Sequence, residues 1–339
     1  MQSKKYSRGM LVIPLLCLTA LLVSFLSLRF GSAKMSTAEF FSALFSGEES
    51  TEAVIIYSVR LPRLLAGLLA GVGLSVSGVL LQSVTLNSLA SPNVVGVNAG
   101  AGFGVVLSLL VIPSAGTLSY ILVPSFAFVF ALITAALVLL ISRAAGGTGT
   151  AVVLAGVAVT ALLNAFISAV NLTDTDLLSS YNAFSIGGFS GVVYTDLILP
   201  LAVILICITV SMLLSRRIEL LCLGGSVASS LGVRVYLVRT VSIICASASA
   251  AAVVSFAGLL GFVGLIVPHI SRLLVGCRLS RLIPASALVG ASVTVLADHI
   301  GRVILSPSEL PVGIMMAIVG APFFLFLLFK KRGENQNEA

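Results

Sequence analysis

The chain has 339 residues, 58% of them hydrophobic and 9% charged, with a net charge of +7 and a mean hydropathy of +1.18. A soluble domain carries roughly a quarter charged residues, so this composition excludes a water-exposed surface over most of the chain and leaves lipid as its solvent. The basic residues are scattered rather than gathered on one soluble face, which excludes a nucleic-acid-binding domain as well.

A helix crossing ~30 Å of hydrocarbon needs about 20 apolar residues, because every backbone polar group must be paired within it. The sequence therefore predicts an all-α polytopic membrane protein forming a single transmembrane domain over 1–339. About ten spans are expected, at 11–29, 62–83, 93–113, 120–142, 151–171, 196–214, 236–254, 258–275, 283–304 and 311–329. Lys4, Lys5 and Arg8 precede the first span as in a signal-peptide n-region, but the apolar run is long for an h-region and reads as a retained anchor. With loops assigned alternately, one side holds fourteen basic residues, including Arg143, Arg216, Arg217, Arg234, Arg239, Arg272, Arg278 and Arg281. The other holds five, Arg29, Lys34, Arg60, Arg63 and Arg302, with acids such as Glu39, Glu48, Glu49, Asp174 and Glu309. The positive-inside rule makes the first side cytoplasmic and places both termini there. Two outer stretches, 31–59 and 172–195, and one inner stretch, 215–235, exceed simple turns, and long ordered loops tend to carry function. The five cysteines show no CxxC or Cys/His spacing, so neither a disulfide framework nor a metal site is expected.

Few side chains carry chemistry. No G-x-x-x-x-G-K-[ST] occurs, so the chain has no P-loop, and no cofactor is implied. The small residues Gly96, Gly100, Gly102 and Gly104, those at Gly67, Gly71, Ser75, Gly78 and Gln82, and those at Ser242, Ala246 and Ala250 read as close helix packing. In the fifth span Thr160, Asn164, Ser168 and Asn171 fall within ~80° of one another on the helical wheel. Such a stripe faces other helices or water rather than lipid; a pathway lining is the sharper reading and interhelical hydrogen bonding the blander one. Just before it, 146–150 reads Gly-Gly-Thr-Gly-Thr, a flexible inner loop suited to a gate. Asp298 and Arg302 are spaced for a local salt bridge whose ends reach the membrane edge. A proton-coupled carrier would show a relay deeper in the bundle, and an intramembrane hydrolase a nucleophile–base pair or paired acids at the midplane. The chain thus has a candidate pathway and no visible energy source, which points to driving force arriving through contact, with 215–235 as the contact surface. An ion-coupled secondary transporter is the main alternative, and a scaffold protein the second.

The sequence resembles the permease subunits of ABC importers for iron–siderophore complexes, haem and vitamin B12, the FecCD type. The resemblance covers nearly the whole chain. It rests on Arg60-Leu-Pro-Arg63; Gly78-Val-Leu-Leu-Gln82 followed by Asn87-Ser-Leu-Ala-Ser-Pro92 and Gly96; Leu154-Ala-Gly-Val157; Leu223-Gly224 with Leu231-Gly-Val233; Gly261-Phe-Val-Gly-Leu-Ile-Val-Pro-His269 with Arg272; Ala297-Asp298; and Leu310-Pro-Val-Gly313 with Gly320-Ala-Pro-Phe323. It implies the type II permease fold in a bacterial cytoplasmic membrane, a homo- or heterodimer of permeases, two cytoplasmic ATPase subunits and an external substrate-binding protein. It further implies that Arg60, Arg63 and Arg302 dock the binding protein and that the coupling helices match 220–233, with Leu220, Leu223, Gly224, Ser229, Leu231 and Gly232 at the ATPase. The cytoplasmic gate matches Gly149 and Thr150, and the fifth and tenth spans line the path. The chain departs from the pattern at Gly225 and Ser229, where relatives commonly carry an acid and an arginine, and at Asn87-Ser88, where they carry Asn-Pro.

Overall fold

The computed structural model describes residues 2–31, 35–45, 50–111, 117–173, 175–306 and 308–337, and every regular element among them is helical. Lys34, Glu48, Glu49 and Asp174, expected among the outer charges, lie outside the described residues. In chain order the helices are α1 (Gln2–Arg29), α2 (Thr37–Phe45), α3 (Thr51–Val54), α4 (Leu61–Thr85), α5 (Val97–Val111), α6 (Thr117–Ala144), α7 (Gly149–Asn171), α8 (Thr175–Ile186), α9 (Tyr194–Leu221), α10 (Gly225–Ser230), α11 (Val235–Ala257), α12 (Val263–Val275), α13 (Leu279–Ile304) and α14 (Val312–Asn337). A π-helical turn, Ile55–Arg60, leads into α4, and a 3-10 turn, Pro92–Val95, leads into α5.

Seven helical segments are long and apolar enough to cross a bilayer, and three shorter apolar ones lie in α5, α12 and α14. Each of the ten expected spans falls on one of these ten segments. The boundaries differ where the backbone must turn. The eighth span was expected over 258–275, but α12 begins at Val263. Its 13 residues, at about 1.5 Å each, reach only ~20 Å of the ~30 Å hydrocarbon. Before it, Gly258 (φ 68) closes α11 and Phe262 (φ 64) starts α12 in the left-handed region. Irregular backbone is tolerated at membrane depth only inside protein. Here Gly258 and Leu260 are buried, and the Leu259 N–H donates to the Phe184 carbonyl at the end of α8. The third span likewise loses its first residues to the 3-10 turn.

The hub is α4, whose span is 83% buried and which packs on α13, α11, α12 and α9. Small residues permit this. A Cβ on Gly71 would lie 2.2 Å from the Gly290 carbonyl oxygen of α13, so the two backbones touch. Hydroxyls then reach across: Ser77 Oγ donates to the Ala246 carbonyl (2.6 Å) and Ser249 Oγ to that of Gly73 (3.1 Å). In lipid there is no hydrophobic drive between helices, so close contact and such hydrogen bonds hold them together. The small-residue stripes on α4, α5 and α11 are therefore packing surfaces, as their spacing indicates.

The long outer stretches fold rather than hang. In the first, Ser36 and Glu39 form a reciprocal capping box at the start of α2: the Ser36 N–H donates to Glu39 Oε2 (2.8 Å) and the Glu39 N–H to Ser36 Oγ (3.2 Å). Donation from the Ser36 backbone N–H, and secondarily from its side chain, holds the exposed Glu39 carboxyl below the usual carboxylate range. Phe40 and Ala43 of α2 bury against Ile56. The second outer stretch contains α8.

Candidate functional site

At the outer end the three arginines are internal, with exposures of 5% for Arg60, 8% for Arg63 and 4% for Arg302. Their neighbours explain why. α1 ends at Arg29 with carbonyls that have no helical partner, and two guanidinium groups take them: Arg60 Nη1 donates to the carbonyls of Leu28 (2.7 Å) and Arg29 (3.0 Å). Arg302 Nη2 donates to Ser27 Oγ (2.6 Å) and its carbonyl (3.4 Å). Cations favour this end of a helix dipole. Ser27 is the one buried residue of the described α1 span, so these contacts fasten α1 to the bundle.

Arg63 binds Asp298 side-on, its Nε 3.1 Å from both carboxylate oxygens and its Nη2 2.9 Å from Oδ1, while its Nη1 donates to Glu309 Oε2 at 2.6 Å. Arg302 Nε lies 3.1 Å from Asp298 Oδ2, close enough for an ion pair but not aligned as a hydrogen bond. Asp298 is 3% exposed. The expected local pair reaching the membrane edge is thus corrected: Asp298 is a buried centre shared by two arginines, one of them 235 residues away in sequence. Two guanidinium and two carboxylate groups sum to zero charge, the condition for tolerable burial. A cavity of about 490 Å³ opens beside Arg63 and Glu309, walled by Gly187, Gly188, Ser190 and Gly258.

The polar stripe on α7 divides. Asn164 and Ser168 are exposed on the single chain. Thr160 turns inward, its Oγ1 buried near Gly96, where a Cβ would lie 3.3 Å from it. Asn171 is half-buried at the helix end. Leu154, Val157, Leu162 and Phe166 are exposed on α7 too, so one amide and one hydroxyl stand among apolar side chains.

At the inner end the glycine-rich loop before α7 is hydrogen-bonded into a defined turn. The Gly147 N–H donates to the Ser142 carbonyl (2.8 Å) and the Gly146 N–H to that of Arg143 (3.2 Å), the paired bonds of a Schellman close to α6. Thr148 then caps α7 by accepting from the Ala151 N–H (3.1 Å). Gly149 sits on the last residue of α4: a Cβ there would lie 2.6 Å from the Thr85 carbonyl oxygen. Thr150 is exposed beside it.

The inner stretch 215–235 also resolves into parts. α9 runs on to Leu221, and Leu220 is half-buried against the core. Gly224 (φ 111) turns the chain into α10, which closes through Gly232 (φ 80) with the Val233 N–H on the Ala228 carbonyl (3.0 Å). Ala228 is buried, whereas Leu223 (64%), Val227 (45%) and Leu231 (57%) are exposed at intervals of four. The segment thus presents three exposed apolar side chains at the inner end, with Ser229 and Gly232 also exposed. Val227 escaped the sequence reading, although its spacing from Leu223 and Leu231 was there to be seen.

The FecCD transport family model matches residues 18–330. The Fe(3+)-citrate import system permease protein YfmE of Bacillus subtilis (strain 168) is 34% identical over 326 residues, covering 96% of this chain and 97% of that one. The iron(3+)-hydroxamate import system permease protein FhuG of the same organism is 34% identical over 334 residues, covering 96% and 98%. Among solved structures, one described as an inward-facing conformation of a metal-chelate type ABC transporter superposes with a TM-score of 0.84 at 31% identity, covering 94% of this chain and 99% of that one.

Proposed function

The chain belongs to the FecCD transport family, and from that premise we propose that it is the membrane-spanning subunit of an ATP-binding-cassette importer for an iron(III) chelate. The observation that carries the substrate class is the near full-length likeness to permeases named for ferric citrate and ferric hydroxamate import. A siderophore complex is the first choice of cargo, ahead of haem or a corrinoid. The chain would work in a bacterial cytoplasmic membrane, paired with a second permease, two cytoplasmic ATPase subunits and an external binding protein, and would itself break no bonds.

In this reading the binding protein docks at the outer end around Arg63, where the cavity meets Glu309, while Arg60 and Arg302 hold the surrounding helix ends in place. The ATPase seats the α10 segment, and closure of the ATPase pair moves the inner ends of α7 and α14 to switch access from one side to the other. Asn164 and Ser168 give the apolar path the polar contacts that let a hydrated chelate pass without being held.

The test is ATP-dependent uptake of ⁵⁵Fe(III)–citrate and a ⁵⁵Fe(III)–hydroxamate by proteoliposomes holding the complex purified from its own cells. Replacing Asn164 and Ser168 together by leucine should reduce uptake at least about tenfold while the complex still assembles. Uptake that survives loss of the ATPase and collapses with an ion gradient refutes the importer reading.

A further inference from the structure

The loop before α7 and the start of α11 are joined by two arginine contacts that run in opposite directions. Arg239, on the second turn of α11, donates through Nη1 to the Gly147 carbonyl. Arg143, on the last turn of α6, lays its guanidinium over the Tyr236 ring at 5.1 Å from the centroid. Tyr236 and Arg239 are three residues apart on α11, so they share a face. Arg143 and Gly147 flank the Schellman turn. Each side therefore gives one arginine and receives one, and the junction is joined at two points.

What this junction connects is set by the chain on either side. α10 passes into α11 with little slack: its closing bonds at Gly232 and Val233 are followed by the Val238 N–H on the Arg234 carbonyl (3.0 Å), and Val233 is buried. On the other side α6 passes into α7 through a turn whose residues are each hydrogen-bonded or capping. Gly147 adopts φ 64, which only a glycine takes without strain, and that conformation presents its carbonyl to Arg239. Nothing lies within 4 Å of a Cβ there, so a substitution acts through the backbone alone.

We infer that Arg239 and Arg143, with Tyr236 and the Gly147 carbonyl, form a two-point clamp that carries displacement of α10 to the inner mouth of α7. They are positioning residues, acting through the α6–α7 turn and the start of α11. The inference rests on the proposed importer reading, in which α10 contacts the ATPase and Gly149 and Thr150 mark the gate.

The experiment uses the whole complex in nanodiscs, with the chain's five cysteines replaced by serine or alanine and a reporter introduced as Thr150→Cys. Reaction with a membrane-impermeant maleimide is timed without nucleotide and after trapping with ATP and vanadate. The parent should differ at least about fivefold between the two states, the lower end of ordinary coupling between sites. Arg143→Ala with Arg239→Ala should hydrolyse ATP as the parent does while that ratio falls to about one. Arg239→Lys, which still donates to a carbonyl, should restore part of it. An undiminished ratio in the double variant overturns the clamp. A parent with no difference between states overturns the gate and coupling reading itself, and the clamp with it. Where the double variant does not assemble, Tyr236→Leu decides: the ring is exposed, its loss removes one contact point, and a full ratio there also overturns the proposal.

Discussion

Asp298→Ala should cost this chain more than any substitution on its surface. The side chain is 3% exposed and accepts three contacts from Arg63, at 3.1, 3.1 and 2.9 Å, with Arg302 Nε a further 3.1 Å away. Removing it leaves two buried guanidinium groups with only Glu309, on the solvent side, to balance them. Breaking a buried pair in this way costs about 3–5 kcal/mol. An unfolding entropy of about 2.1 cal/mol/K per residue over 339 residues is roughly 0.7 kcal/mol/K, so the midpoint should fall by about 4–7 °C. The chain has no tryptophan, but Cys207 and Cys245 are buried; with the exposed Cys17, Cys222 and Cys277 replaced by serine, a thiol-reactive fluorophore in detergent micelles reports their exposure on heating. The companion variant carries Arg63→Met, Asp298→Leu and Arg302→Met together. Glu309, the one charge of the network that remains, stands on the solvent side with its side chain 29% exposed, so the variant should recover to within about 1 kcal/mol of the parent. A single variant that loses less than about 1 kcal/mol, or a triple variant less stable than the single, refutes the account of a compensated buried network.

Two further outcomes follow from the inner surface. Leu223→Ser with Leu231→Ser removes two apolar side chains that are exposed in the chain and would be covered by an ATPase groove. At about 1.5 kcal/mol each, affinity for the purified ATPase should fall roughly 100-fold with the permease melting point unchanged, and unaltered affinity would move the contact elsewhere. Gly149→Val places a Cβ 2.6 Å from the Thr85 carbonyl oxygen, which pushes α7 off α4 at about 1–3 kcal/mol; an unchanged melting point would show that the helix ends do not pack as described.

The ten spans were legible because hydropathy reports solvent, and lipid is the solvent here. The loop charges added an orientation. What hydropathy could not report was the half-length of α12, since Gly258 to Phe262 are as apolar as a helix while the backbone there turns through two left-handed residues. The site was legible in part. Asp298 and Arg302 stand at helical spacing and the sequence paired them, but Arg63 joins them across most of the chain, and no local pattern carries a contact of that separation. The same limit hid Arg239. Counted as one more positive-inside residue, it turned out to hold the carbonyl of a turn 92 residues earlier.

The departures at Gly225 and Ser229 take on a different weight once α10 is seen. A Cβ on Gly225 would meet only Val235, at 3.8 Å, and Ser229 is exposed, so both positions could house the longer acid and arginine without disturbing the helix. Their absence is then not forced by the fold of this chain. It leaves Leu223, Val227 and Leu231 as the prominent side chains of the segment, an apolar set accompanied by glycine and serine. An apolar surface discriminates by shape, since hydrophobic burial is roughly proportional to area and has no direction, whereas a charged pair would have fixed register and rejected wrong partners through unpaired charges. The ATPase that serves this permease should therefore present a groove matched in contour, without an opposed acid or arginine at those two positions. Restoring Gly225→Glu and Ser229→Arg together should weaken that pairing rather than strengthen it.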